Sequence, residues 1–345
     1  MGANELADID AVVTWVDGAD PAHQQKLSAY LSRTGSVRGG SAHTTRFNDA
    51  GELDYCLASL LRFAPWLRRI HVVTDMQVPR QLPRLADSAY ADRVRLVDHR
   101  EIFSGFEEFL PTFNSESISS VLWRIPGLAE QFLYINDDMM LLRPVREADF
   151  FRDGKMVVRG KWLPQSEYDW KRRVAGWWKR LTGTVSARHS NLATQQAGAR
   201  LAGFDRRYYR LYHNPYPMRR SLLKDYFEKN PEKLTGNISH RLRSPTQFNS
   251  ESLSIHLGIA HEAALLDNAL YTVQLKPRDQ SSLRLWHKMA RADADPRAAF
   301  VVVQSLELAS PEVQARIVAW LDRRVGHLED VLSGATSPAQ TLAGQ

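Results

Sequence analysis

IDAVVTWVDGAD, residues 9–20, decides the fold. Its first eight residues, 9–16, form a run rich in β-branched side chains with no polar alternation, the pattern of a strand buried on both faces. Asp17-Gly18 ends the run, and Pro21 opens a helix to about residue 31, with Asp20 placed as its N-cap. A strand that turns directly into a helix N-terminus is the usual opening of an α/β nucleotide site.

The same alternation continues outward. After a Gly/Ser/Thr-rich loop (residues 34–45), Asn48 or Asp49 caps a helix with Leu53, Leu57, Leu60 and Leu61 on one face, ended by Pro65. Strand patterns follow at residues 70–74 (IHVVT) and 94–97 (VRLV). Asn114 or Ser115 caps a helix that should end near Pro126-Gly127, and residues 132–135 (FLYI) form a strand running into Asn136-Asp137-Asp138. Strands alternating with helices predict a doubly wound α/β fold with a mostly parallel sheet and flanking helices. From residue 159 to 217 the chain is dense in Trp, Tyr and Arg, and we expect an aromatic, basic insertion or lid rather than more sheet. Helices are predicted at about 218–229, 250–264 and 311–324, with a late strand at 301–303. These patterns divide the chain into an α/β half (1–158), an insertion (159–217), a mostly helical second part (218–330) and a frayed tail (331–345).

The 345 residues are 43% hydrophobic and 24% charged, ample for a buried core and too apolar for disorder. Cys56 is the one cysteine, which excludes an intramolecular disulfide and a Cys-rich zinc site and fits a reducing, cytoplasmic setting. The first ten residues, MGANELADID, lack the basic and apolar regions of a signal peptide, and no apolar run is long enough for a spanning helix. The net charge of +6 suits an anionic partner and equally suits solubility alone. The phosphate-loop, G-x-G-x-x-G, G-x-S-x-G and H-E-x-x-H signatures are absent.

Several side chains could carry chemistry. Asp137 and Asp138 at a strand end suit a hard divalent cation on a diphosphate, or form a turn with one solvated carboxylate. His213, between Tyr212 and the prolines of Asn-Pro-Tyr-Pro, is a proton acceptor or one surface imidazole among eleven. Arg243 and Arg46 suit phosphate oxygens or solvent. Asp17 and Asp20 could face a nucleotide, but turn chemistry and capping already account for Asp20. The stretch WKRRVAGWWKR (170–180) could stack on sugars, touch a membrane surface peripherally or pack as a lid helix.

Longer strings resemble a known family. IDAVVTWVDGADP is similar to the first block of the Stealth proteins, the sugar-1-phosphate transferases. RFNDAGELDYCLASLLRFAPWLRRIHVVTDMQVP, VRLVDHREIF, LPTFNSESI, RIPGL and FLYINDDMML resemble the second. YHNPYPMRRSLLKDYF and RLRSPTQF resemble the third. The resemblance implies a Rossmann-like core that moves a hexose-1-phosphate, an N-acetylhexosamine-1-phosphate above all, from a UDP-sugar to a saccharide hydroxyl with release of UMP. It implies Mg²⁺ or Mn²⁺ held by Asp137 and Asp138, with His213 as base. Arg243, Asp17 and Asp20 would stand at the reacting phosphate. Trp15, Arg46, Asp49, Thr74, Asp75, His99, Asn114, Arg124 and Asn136 would form the nucleotide-sugar pocket. The chain departs from the pattern at Ser119 and Val121, where an acid and a histidine are usual, and at Gln304 and Ser305, where acids would stand. The rival functions are a metal-dependent glycosyltransferase that releases UDP, and a binder of anionic polymers. A nucleic-acid partner is not expected, since no such module pattern occurs.

Overall fold

In the computed structural model, residues 8–35, 51–169 and 190–334 are described. The chain runs β1 (Ile9–Thr14), α1 (Pro21–Thr34), α2 (Glu52–Phe63), β2 (Ile70–Thr74), β3 (Val94–Asp98), α3 (Ser115–Ser119), β4 (Gln131–Asn136) and β5 (Met139–Leu141). It continues through β6 (Phe151–Arg152), β7 (Lys155–Val158), β8 (Gly160–Pro164), α4 (Asn191–Leu201), β9 (Arg207–Leu211), β10 (Tyr216–Arg219), α5 (Arg220–Lys229) and α6 (Pro231–Ile238). The last elements used below are α7 (Ser250–Ala260), β11 (Ala264–Leu266), β12 (Tyr271–Leu275), α8 (Ser282–Ala294), β13 (Ala298–Val303) and α9 (Pro311–Arg324).

The central sheet has the order β10-β4-β1-β2-β3. β1 is parallel to both neighbours, with Val13 opposite Val72 on β2 and Ile135 on β4. Ala11, Val12 and Val13 are fully buried, as a central parallel strand requires. All four parallel strands therefore end on one edge, and this edge carries the site. The fold is α/β, a mostly parallel sheet flanked by helices, as the sequence predicts.

Asp20 caps α1 through its carboxylate and the His23 N–H at 2.8 Å, with Pro21 as the first helical residue. A second sheet, β12-β13-β5, closes over the end of β4, with Val303 N donating to the Asp138 carbonyl at 3.1 Å. Among the described residues no helix is long and apolar enough to cross a membrane.

Four boundaries differ from expectation. The second helix starts at Glu52 behind Gly51, whose φ of 98° is open chiefly to glycine, and Asn48 and Asp49 lie outside the described residues. The helix capped by Asn114 stops at Ser119, because Ser119 and Ser120 turn their hydroxyls back to the Glu116 carbonyl. The helix expected from 218 begins at Arg220. Tyr216–Arg219 is strand β10, antiparallel to β4, with Met218 opposite Phe132. Thus the end of the expected insertion belongs to the main sheet. The helix expected to 264 stops at Ala260, and Ala264–Leu266 pairs with β7 instead.

Candidate active site

The C-terminal ends of β1, β2 and β4, together with α3, α7 and β12, surround one cavity of about 1180 Å³. Trp15, Asp75, His99 and Asn136 line its β1–β3 side and the approach to the tandem aspartates. Asp137, Asp138, His213, Asn114 and Arg243 line it as well. Residues drawn from four separate parts of the sequence thus meet in one place.

At its centre, His213 Nε2 stands 3.4 Å from Asp138 Oδ2, and Nδ1 stands 3.3 Å from the Tyr216 hydroxyl. Both contacts are long for hydrogen bonds. Asp138 Oδ1 is buried with no hydrogen-bond partner. Arg243 donates to Ser115 Oγ at 2.6 Å, which fixes one end of its guanidinium on α3. His99 is buried, and burial pushes its imidazole down to about 4 against the pull of Asp75 and Asp98. It is therefore neutral at pH 7. Lys26 pairs with Asp75 at 2.9 Å.

Other expected residues are placed elsewhere. Asp17 accepts from the Ala19 N–H at 2.8 Å, a turn contact, and is not among the cavity-lining residues. Asp20 is outside the lining too, with its carboxylate capping α1, the helix that carries the lining residue His23. Arg124 donates to the carbonyls of Ile102 and Ser104 at 2.9 and 2.6 Å and lies over the Phe106 ring, again off the cavity. Thr74 is buried between two lining residues, Val73 and Asp75, without lining the cavity itself. Asn114 does line it, but its amide nitrogen serves the His240 carbonyl and Gln247, and its oxygen caps α3. Arg46, Asp49 and the Trp170-to-Arg180 stretch lie outside the described residues.

The structure adds residues that the sequence did not single out. Lys276, Lys288 and Arg291 line the wall formed by β12 and α8. Lys288 donates to the Gln274 carbonyl, and Arg291 stands 5.6 Å from the Tyr271 ring centroid. Lys161 and Arg210, directly opposed across β8 and β9, also line the cavity. Gln304 lines the cavity at the end of β13, an amide at a position where the resemblance implies an acid. Glu116 and Glu251 complete the inner wall. Ser119, another of the departures, approaches the Glu251 carboxylate at 3.5 Å, so a carboxyl from α7 does reach this corner.

In open α/β sheets ligands bind outside the carboxyl ends of the strands, and the cavity lies there. The chain also matches two family descriptions: Stealth protein CR1, conserved region 1, over residues 7–35, and Stealth protein CR2, conserved region 2, over residues 46–158. These stretches of the chain carry the two Stealth conserved regions. It is 34% identical over 328 residues to an exopolysaccharide phosphotransferase of Streptomyces coelicolor, covering 94% of this chain and 47% of that one. It is 31% identical over 256 residues to a capsular polysaccharide phosphotransferase of Actinobacillus suis, covering 70% of this chain and 62% of that one. The chain thus spans under two-thirds of the length of either relative. Among solved structures, the galactosyltransferase LgtC with donor and acceptor sugar analogues aligns at 10% identity, with 90% of this chain and 95% of that one covered and a TM-score of 0.41.

Proposed function

We propose that this protein transfers a hexose-1-phosphate, N-acetylhexosamine-1-phosphate in the first place, from a UDP-sugar to a saccharide hydroxyl, building a surface polysaccharide and releasing UMP. The observation that carries the reading is the meeting of His213 with Asp138 at 3.4 Å inside a cavity that Arg243 also lines. The acceptor oxygen attacks the β-phosphorus, the bond from that phosphorus to the bridging oxygen breaks, and UMP leaves with the electron pair. The transition state spreads negative charge over phosphoryl oxygens, so positioning and charge neutralisation do most of the catalysis.

In the tautomer whose Nδ1–H is directed at the Tyr216 oxygen, Nε2 of His213 is the nitrogen that takes the acceptor proton. The imidazolium so formed is stabilised by the Asp138 carboxylate beside it. Arg243, braced on Ser115, holds phosphoryl oxygens, and the Lys276, Lys288 and Arg291 wall adds positive charge.

Asp137 and Asp138 fit Mg²⁺ or Mn²⁺. The buried Oδ1 of Asp138 is an acceptor awaiting a partner. A cation of this kind is commonly held by one or two carboxylates together with phosphate oxygens. When bound, such a cation would neutralise charge on the diphosphate.

The test is incubation with a panel of UDP-sugars and an oligosaccharide acceptor, with nucleotide and ³¹P products read together. UMP and a phosphodiester signal are expected. UDP as the product would instead mean attack at the anomeric carbon.

A further inference from the structure

Two glutamates on the inner wall have no part in this chemistry. Glu116 lies in the first turn of α3 and Glu251 in the first turn of α7, and both line the cavity. They are 4% and 7% exposed. Their hydrogen bonding differs. Glu116 accepts from the Thr194 hydroxyl at 3.2 Å on one oxygen and from the Asn249 amide at 3.4 Å on the other. Glu251 has the Ser119 hydroxyl on Oε2 at 3.5 Å, the outer limit of such a contact, and its own backbone N–H beside the carboxyl.

Among the described residues, the charged and titratable groups that act on Glu251 include Glu116 from α3, Arg243 from the segment before α7, Tyr134 from β4 and Tyr216 from β10. Arg243 is the lone cation of this set and is already braced on Ser115. Burial first, and then the neighbouring Glu116, push the Glu251 carboxyl up to about 8. Both Glu116 oxygens accept from side-chain donors, and Glu251 is the carboxyl of the two that burial and its neighbour push up. An ionised Glu251 would repel both Glu116 and an incoming diphosphate. A protonated one offers an O–H donor to the cavity.

We propose that Glu251 acts as a neutral carboxylic acid that binds the donor substrate, giving its O–H to an oxygen at the sugar-phosphate end. This rests on the reading of the cavity as a UDP-sugar site. It makes donor affinity sensitive to alkali: affinity is full while the acid is neutral and is lost as pH rises through its titration.

The experiment is calorimetric titration of wild type and Glu251→Gln with UDP and with UDP-N-acetylglucosamine, in Mg²⁺, from pH 7 to pH 9. Wild-type affinity should fall about tenfold, because one unit above its titration point an acid is only about one-tenth neutral. Glu251→Gln keeps a neutral donor, so its affinity should show no such fall. A fall already present with UDP makes the acceptor atom a phosphoryl oxygen, and a fall confined to the UDP-sugar makes it a sugar oxygen. A flat wild-type profile, or a variant that falls in parallel, overturns the proposal. Carbon-13 NMR of the glutamate-labelled, unliganded protein decides the matter without turnover. A carboxyl titrating near pH 8 that vanishes in Glu251→Gln is expected, and its absence from wild type overturns the inference. Release of UDP instead of UMP, by contrast, would defeat the transfer reading and leave these titrations intact.

Discussion

The two ends of the central sheet treat their carboxylates in opposite ways. At the N-terminal end, Asp10 of β1 is fully buried and fully engaged. Arg68 donates to it at 2.9 and 2.6 Å, His71 lies 3.2 Å away, and the Ala129 N–H donates at 2.8 Å. Burial alone would raise this carboxyl, but the bonds from His71, Arg68 and Ala129 overcome it and hold the group down at about 2. At the C-terminal end, Asp138 has one long contact to His213 and one buried oxygen with no partner. One carboxylate is satisfied by the fold, and the other is not. The first should matter to stability and the second to chemistry, and substitutions can separate the two.

The largest effect is expected at the open end. His213→Ala should lower kcat by about 10²- to 10⁴-fold, the range for loss of a general base, while donor affinity and melting temperature stay close to wild type. Steady-state kinetics beside a thermal melt checks this, and unchanged turnover would remove the imidazole from the reaction.

At the closed end the loss should appear in stability instead. Asp10→Asn leaves Arg68 and His71 facing a neutral amide, and breaking a buried pair costs about 3–5 kcal/mol. Urea unfolding should show it, with UDP affinity in the surviving folded protein unchanged. The pH dependence has a definite sign. The folded carboxyl titrates at about 2 and an unfolded aspartate near 3.9. The stabilisation is whole above about pH 4 and is lost as pH falls towards 2. Wild type should therefore lose stability across that window more steeply than Asp10→Asn.

Arg243 tests the phosphate side of the same contrast. Arg243→Ala should raise the donor KM by roughly ten- to a hundredfold, in keeping with about 1.5–3 kcal/mol for hydrogen bonds to a charged group. Arg243→Lys keeps the charge but loses the fork, and should recover only part of the loss. A KM that does not move would detach the guanidinium from the diphosphate.

The comparison also shows what a sequence reveals. The four parallel strands and the Pro311–Arg324 helix were legible because their signals are local: unbroken apolar runs, an N-cap serine and a proline in the first turn. The tandem aspartates were legible because they directly follow such a run. β10 was hidden by Pro217, which an edge strand tolerates but a reader of pattern takes for a break. The Lys276, Lys288 and Arg291 wall was hidden because β12 is only half-buried and Ser281 gives α8 no side-chain cap bond. The Glu116–Glu251 pair exists only once α3 and α7 pack together. Arg124 shows the converse error, since a motif placed it in the pocket while the fold spends it on two carbonyls.

Asp20 gives the smallest effect and the finest test of the division. It sits on the site's edge of the sheet by sequence, yet its carboxylate is satisfied within its own helix, so it belongs with Asp10 in kind. Asp20→Ala should cost about 1 kcal/mol of stability, the usual worth of an N-cap, and Asp20→Asn, which still caps, much less. Turnover at a temperature where both variants stay folded should lie within about twofold of wild type, because His23 and the rest of α1 keep their packing against Phe113 and the cavity wall. If Asp20→Asn instead lost turnover while keeping its stability, the carboxylate charge would be acting on the substrate across the turn, and the line between settled and waiting carboxylates would have to be redrawn to include it.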